Sequence, residues 1–173
     1  ELRIVSPKCD IFSLEAKKMA LKGHRYIDNC KIFNSIEQAI FDCDLVIATC
    51  GRIDLSNDIE CESPEDISKW ISSFVEINNL GILFGREDRG LSNNELLFAH
   101  KILNIKTSQN YPSLNLSHAV SIILYELNKS STNNVEKDLQ VFDLASSKQI
   151  YESFKEIEEM LIKTGYIFEH TAN

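Results

Sequence analysis

Apolar residues occur along the chain in two rhythms, short unbroken runs and runs spaced three or four apart, and the two alternate. Leu2-Arg3-Ile4-Val5 ahead of Ser6-Pro7 predicts a short strand stopped by proline. Helical spacing over Phe12–Leu21 ends at Gly23. Ser35 with Gln38 three residues later is a capping-box pattern and predicts a helix from Ser35 to about Cys43. The next run, Leu45-Val46-Ile47-Ala48-Thr49, is apolar up to its threonine, as a strand covered on both faces would be. Residues 54–63 are polar and irregular and predict a mobile loop. Ser63-Pro64-Glu65-Asp66 supplies an N-cap, a first-turn proline and acidic residues, so a helix should run from there to about Ile77. Gly81–Gly85 and Lys101–Ile105 predict two more strands, with a short helix capped by Ser92 and Glu95 between them. Ser117 then begins a long apolar helix reaching about Asn128.

This alternation predicts an α/β domain over residues 1–128, with a parallel sheet flanked by helices. Residues 128–138 are polar and free of proline, and the stretch 129–145 reads as a linker. In the segment 146–173, Ile150, Phe154, Ile157 and Leu161 recur at helical spacing up to Gly165. An amphipathic helix of this kind needs a partner for its apolar stripe. Its other face is acidic, which favours packing on its own domain or on a second subunit over a membrane surface.

With 173 residues, 43% of them apolar and 25% charged, the chain suits one soluble domain with a real core. No apolar run is long enough to span a bilayer, and the N-terminus carries no secretory pattern. The five cysteines (Cys9, Cys30, Cys43, Cys50, Cys61) never form a CxxC pair, which argues for reduced thiols in a cytoplasmic protein and against a zinc site. The net charge of −8 is opposite to the usual basic footprint of a nucleic-acid binder. Any RNA-binding function must therefore gather positive charge locally or across a dimer. His24, His100, His118 and His170 have no partner at ligand or triad spacing, and Trp70 reads as a core or interface residue rather than a base-stacking platform.

Two segments carry chemistry. In Phe84-Gly85-Arg86-Glu87-Asp88-Arg89-Gly90-Leu91-Ser92 a strand ends in a tight polar loop with two glycines, at the sheet edge where α/β folds bind ligands. A plain turn fits the glycine spacing equally well, and neither GxGxxG nor a P-loop is present. The second, Tyr111-Pro112-Ser113-Leu114-Asn115-Leu116-Ser117-His118, places short polar residues where a helix begins, which suits a polar ligand and also ordinary capping by Ser117.

Leu83–Leu91 and Ser113–Glu126 resemble the second and third motifs of the SpoU (TrmH-like) branch of the SPOUT methyltransferases. The likeness includes SLNLS at 113–117, the Ala119-Val120 pair and the closing Tyr125-Glu126. Within residues 1–50, LRIVSP resembles the family's second strand and DCDLVIAT the strand before its first cofactor loop; Gln149–Gly165 resembles the C-terminal extension of the TrmJ-like group. The resemblance implies a deep C-terminal trefoil knot whose three loops bind S-adenosylmethionine. The first loop would contribute Thr49, Cys50 and Gly51, the second Gly85, and the third Ile105, Pro112, Ser113 and Leu114. The first loop reads TCGR here, so Cys50 stands where relatives more often have a small hydroxyl residue, and Arg52 keeps the basic position.

By the same resemblance Asn115 and Glu87 support catalysis, while Arg52, Arg86 and Arg89 face the RNA backbone. The implied reaction is 2′-O-ribose methylation of RNA by a homodimer, with tRNA favoured over rRNA. No metal is implied, because a sulfonium already leaves as a neutral sulfide. The family's first motif, an NxGxxxR-type segment holding its catalytic arginine, has no counterpart in residues 1–173 and is expected to precede Glu1; the extension is expected to continue past Asn173. Residues 1–173 are thus expected to bind cofactor but transfer methyl poorly. Two alternatives stay open: a non-catalytic RNA- or cofactor-binding module of the same fold, and a generic nucleotide-binding α/β domain with no affinity for S-adenosylmethionine.

Overall fold

The computed structural model describes residues 1–51, 60–74, 76–108, 114–132, 145 and 147–167. The chain divides into two compact units, Glu1–Asp42 and Cys43–Asn173. In the first unit β1 (Arg3–Val5) pairs in parallel with β2 (Lys31–Phe33), and α1 (Leu14–Ala20), α2 (His24–Asp28) and α3 (Ile36–Ile40) complete it. Ser13 caps α1 by accepting the Ala16 N–H, so that helix starts two residues later than its apolar spacing suggests. Ser35 caps α3 as expected, but the reciprocal bond is shifted: Gln38 Oε1 accepts from the Asn34 N–H. The Arg3 guanidinium joins the unit's parts by donating to the Asp42 carboxylate, the Ala39 carbonyl and Glu1.

The second unit contains a four-stranded, wholly parallel sheet in the order β4 (Cys61–Glu62), β6 (Lys101–Leu103), β3 (Leu45–Thr49), β5 (Leu80–Leu83). The central strand β3 is the apolar run identified in the sequence, and Leu45 through Ala48 are at most 1% exposed. Because side chains alternate across a strand, the sheet feeds two cores. Ile47 and Leu103 point to one face with Ile67 and Ile123, where Trp70, Ile82 and Leu127 also pack. Ala48 points to the other with Leu91 and Leu96, joined by Leu83 and Ile102.

Helix α4 (Pro64–Ser72) starts at Ser63, which accepts the Asp66 N–H, as the Ser-Pro-Glu-Asp pattern implies. It ends five residues earlier than expected, in a tight turn where Ser73 donates both its N–H and its hydroxyl to the Trp70 carbonyl. Serine competes with the helix ladder in this way wherever its side chain can reach back. The one buried polar side chain of the described core, Ser68 on α4, donates to the Glu126 carbonyl of α6 (Leu116–Thr132), so the α4–α6 contact buries no unpaired hydroxyl. Trp70 is a packing residue, edge-on to Phe74 with the Lys101 ammonium 4.7 Å from its ring.

Helix α6 runs past Asn128 into the stretch read as linker, and residues 133–144 of that stretch lie outside the described residues. So do residues 54–59 of the expected mobile loop. A short helix α5 (Asn93–Leu96) sits between β5 and β6, and α7 (Ser147–Lys163) closes the described chain. Phe154 and Ile157 of its apolar stripe are 62% and 48% exposed, while Tyr151 stacks on Phe98. Among the described residues no helix is long and apolar enough to cross a membrane.

Candidate active site

Strands β3, β5 and β6 all end on one edge of the second unit's sheet, and the loops leaving them surround a cleft of about 250 Å³. Parallel strands present their carboxyl ends together, and ligands in open α/β sheets bind outside those ends. The first loop contributes Thr49, Cys50 and Gly51, the second Phe84 through Gly90, and the third Leu103, Ile105 and Leu114. Leu116, Ala119 and Ile123 add one face of α6, spaced by three and four residues.

Of the positions expected to contact cofactor, Thr49, Cys50, Gly51, Gly85, Ile105 and Leu114 are therefore brought together. Pro112 and Ser113 lie outside the described residues, as does Arg52 among the expected RNA contacts. Phe84, Leu103, Leu116, Ala119 and Ile123 were not among the cofactor contacts expected from sequence, although the helical spacing of the last three was available as a signal. His100 also has a role its isolation in sequence concealed. Its Nδ1 accepts the Val46 N–H (3.1 Å) and its own N–H donates to the Val46 carbonyl (2.8 Å), extending β6 by one rung along β3.

Gly85 lines the cleft and is also packed closely from behind. A Cβ there would lie 2.1 Å from the Gly90 carbonyl carbon and 2.3 Å from the Leu91 nitrogen. What approaches Gly85 closely is the return limb of its own loop. That loop is pinned where the Gly90 N–H donates to the Arg86 carbonyl (2.8 Å), with Gly90 at φ +70°. Thr49 likewise contributes more than a lining surface: its hydroxyl donates to the Leu83 carbonyl (3.0 Å), tying the first loop to the second.

Glu87 and Asn115 meet at the rim, with Asn115 Nδ2 donating to Glu87 Oε1 at 2.9 Å. Asn115 also corrects the expectation that Ser117 caps α6. Asn115 Oδ1 accepts both the N–H (2.9 Å) and the hydroxyl (2.6 Å) of Ser117, so the cap is Asn115 and the helix begins at Leu116. One side chain thus starts the helix and orients a carboxylate on the second loop.

The two described arginines of that loop are both ion-paired within the unit. Arg86 is bidentate to Asp88 (2.8 and 2.7 Å), and the pairing holds the Asp88 carboxyl below the usual carboxylate range. Arg89 is bidentate to Glu95 (3.1 Å to each oxygen). Glu95 completes the capping box with Ser92 that the sequence signalled. Partial burial alone would raise the Glu95 pKa, but Arg89 and the Ser92 amide and hydroxyl outweigh it and hold it at about 2. A carboxylate depressed on folding stabilises the fold above its unfolded pKa of about 4.5, and that stability drains as pH falls toward 2. Glu95→Gln is therefore expected to flatten acid unfolding in this window and to cost about 1 kcal/mol at neutral pH, measured by denaturant melts across pH. Burial, and then neighbouring Cys50, push the Cys61 thiol up, away from the reactive thiolate. Among the described residues no group of three or more His, Cys, Asp or Glu side chains could hold a metal ion.

A family profile described as the SpoU rRNA Methylase family matches residues 1–125. The chain belongs to that family. Among its relatives, the tRNA (cytidine-2'-O-)-methyltransferase TrmJ of Methanocaldococcus jannaschii is 37% identical over 164 residues, covering 94% of this chain and 66% of that protein. The tRNA (cytidine-2'-O-)-methyltransferase TrmJ of Sulfolobus acidocaldarius is 39% identical over 136 residues, covering 78% of this chain and 56% of that protein. The chain thus spans between about half and two thirds of the length of these two relatives. The crystal structure of TrmJ from Z. mobilis ZM4 superposes with a TM-score of 0.78 at 27% identity, over 99% of this chain and 71% of that one. The parallel α/β fold is thus that of SPOUT methyltransferase structures.

Proposed function

We propose that the protein is an S-adenosylmethionine-dependent tRNA 2′-O-ribose methyltransferase, with the cleft at the ends of β3, β5 and β6 as its cofactor site. The observation that carries this reading is the convergence of both family motifs on one cleft: the Phe84–Gly90 loop forms one wall, and Leu114, Leu116, Ala119 and Ile123 form another. The residues fit the group. Apolar walls from Leu103, Ile105, Leu114 and Ile123 suit a flat purine, and strand-end backbone at residues 49–51 and 85–90 suits polar ribose and amino-acid groups.

The cofactor supplies a methyl on a sulfonium. A ribose 2′-oxygen would be the methyl acceptor, the sulfide would leave neutral, and the hydroxyl proton would pass to solvent water. The chain's own part is alignment of donor and acceptor. Asn115 and Glu87 hold the rim between the second loop and α6, and we assign them the supporting catalytic role. Arg86 and Arg89, with Arg52, are the candidate phosphate contacts. The pairing of Arg86 with Asp88 is exposed, and such pairs are weak enough for a phosphate to displace. The SpoU branch also implies that the three loops belong to a trefoil knot, and that the protein acts in the cytoplasm as a homodimer. Exposed Phe154 and Ile157 on α7 offer apolar area for such a partner.

Transfer of labelled methyl from S-adenosylmethionine to total RNA, by the complete reading frame containing these residues, tests the assignment when followed by nucleoside mapping. The expected product is a 2′-O-methylnucleoside in tRNA. Label in rRNA alone would reassign the substrate, and cofactor binding without transfer would favour a non-catalytic module.

A further inference from the structure

We infer that Asn104 is a positioning residue that sets cofactor affinity by fastening the loop leaving β3 to the loop leaving β6; this rests on the reading of the cleft as the S-adenosylmethionine site. The two strands pair in parallel as far as Thr49↔Leu103. The Cys50 N–H then donates to the Leu103 carbonyl (2.9 Å), which carries the ladder one step past β3. Beyond that point the two chains must part, because the cleft opens between them. The next link is made by a side chain: Asn104 Nδ2 donates to the Cys50 carbonyl at 2.7 Å. A carbonyl only accepts, so the amide must present its nitrogen there, and no other orientation of the side chain makes the bond.

The backbone of Asn104 is held from the opposite side, where its N–H donates to the Glu62 carbonyl of β4 (2.9 Å). Residue 104 is thus anchored to β4 through its main chain and to the first loop through its side chain. Its neighbours Leu103 and Ile105 line the cleft, as do Cys50 and Gly51 across from them. The bond therefore joins two cleft walls at the residue between two lining positions. The Thr49 hydroxyl performs the matching task toward β5 by bonding the Leu83 carbonyl. Together the two side chains tie the first loop to the second and third where main-chain pairing has ended. A cleft held open at fixed width meets its ligand without an ordering cost, so loosening this bond should weaken binding even though Asn104 itself need not touch the ligand.

The test is calorimetric titration of S-adenosylhomocysteine into the wild-type protein, Asn104→Ala and Asn104→Asp, with thermal melting of each unliganded protein. Wild type is expected to bind saturably and Asn104→Ala about tenfold more weakly, the worth of one neutral hydrogen bond. Asn104→Asp separates positioning from mere stability. Near pH 8 its carboxylate faces the Cys50 carbonyl without a proton, and affinity should fall at least as far. Lowering the pH protonates a growing share of that carboxyl and restores a donor, so affinity relative to wild type at the same pH should rise. If Asn104→Ala fails to fold, the pH-dependent recovery in Asn104→Asp decides. Melting shifts with wild-type affinity in both variants would overturn the assignment of Asn104 alone. Absence of binding by the wild type would overturn the cofactor reading and this proposal with it.

Discussion

Replacing Gly85 with alanine is expected to lower stability by about 3 kcal/mol and to weaken S-adenosylhomocysteine binding by about a hundredfold or more. The added Cβ would sit 2.1 to 2.6 Å from three backbone atoms of Gly90 and Leu91. Backbone cannot rotate away as a side chain tip can. Nor can the return limb simply retreat, because Leu91 is buried against Ala48 and Leu96. The loop must either open at the Arg86–Gly90 bridge or pull Leu91 from the core, and each outcome disrupts a wall of the cleft. Gly90→Ala is the control. Nothing lies within 4 Å of a Cβ there, so its cost is confined to the left-handed backbone at φ +70°, about 1 kcal/mol. Denaturant melts and calorimetry on both variants check the contrast, and equal effects would contradict the clash.

Asn115→Asp is expected to leave stability within about 1 kcal/mol of wild type while reducing methyl transfer about a hundredfold. Aspartate keeps an oxygen for the Ser117 N–H and hydroxyl, so α6 retains its cap. It loses the donor to Glu87 Oε1 and sets two carboxylates where one amide and one carboxylate now lie 2.9 Å apart. Glu87 should turn away from the rim. Asn115→Ala removes both functions and is expected to cost about 1–2 kcal/mol in addition. Initial rates with the complete reading frame, set beside melting curves, separate the two effects. A loss of activity in Asn115→Asp that merely tracked its stability would reduce Asn115 to a helix cap.

Much of the fold is legible in the chain because its strongest elements depend on local chemistry. Leu45–Ala48 is apolar without interruption and becomes the buried part of the central strand. Ser63 and Ser92 carry their capping partners three residues on, so the starts of α4 and α5 fall where the pattern puts them. The elements that escape the sequence are those created by distant partners. β4 has two residues and exists because it pairs with β6, some forty positions later. β2 has three residues, two of them exposed, and no alternation long enough to register. The same division runs through the site. The glycine loop and the SLNLS segment stand out from their composition, but Asn104 is a lone asparagine whose meaning lies in a carbonyl 54 residues away. Gly85 stood out as one of two glycines in a polar loop, whereas the backbone that packs against it depended on how residues 86–91 fold back.

The measurement that bears most directly on the cofactor cleft is a titration of isotopically labelled protein with S-adenosylhomocysteine, followed by backbone amide resonances. Saturable shifts are expected at residues 49–51, 84–90 and 103–105 and at the start of α6, the segments that line the cleft. Saturation without shifts at those positions, or no saturable shifts at all, would contradict the assignment of this cleft as the methyl-donor site.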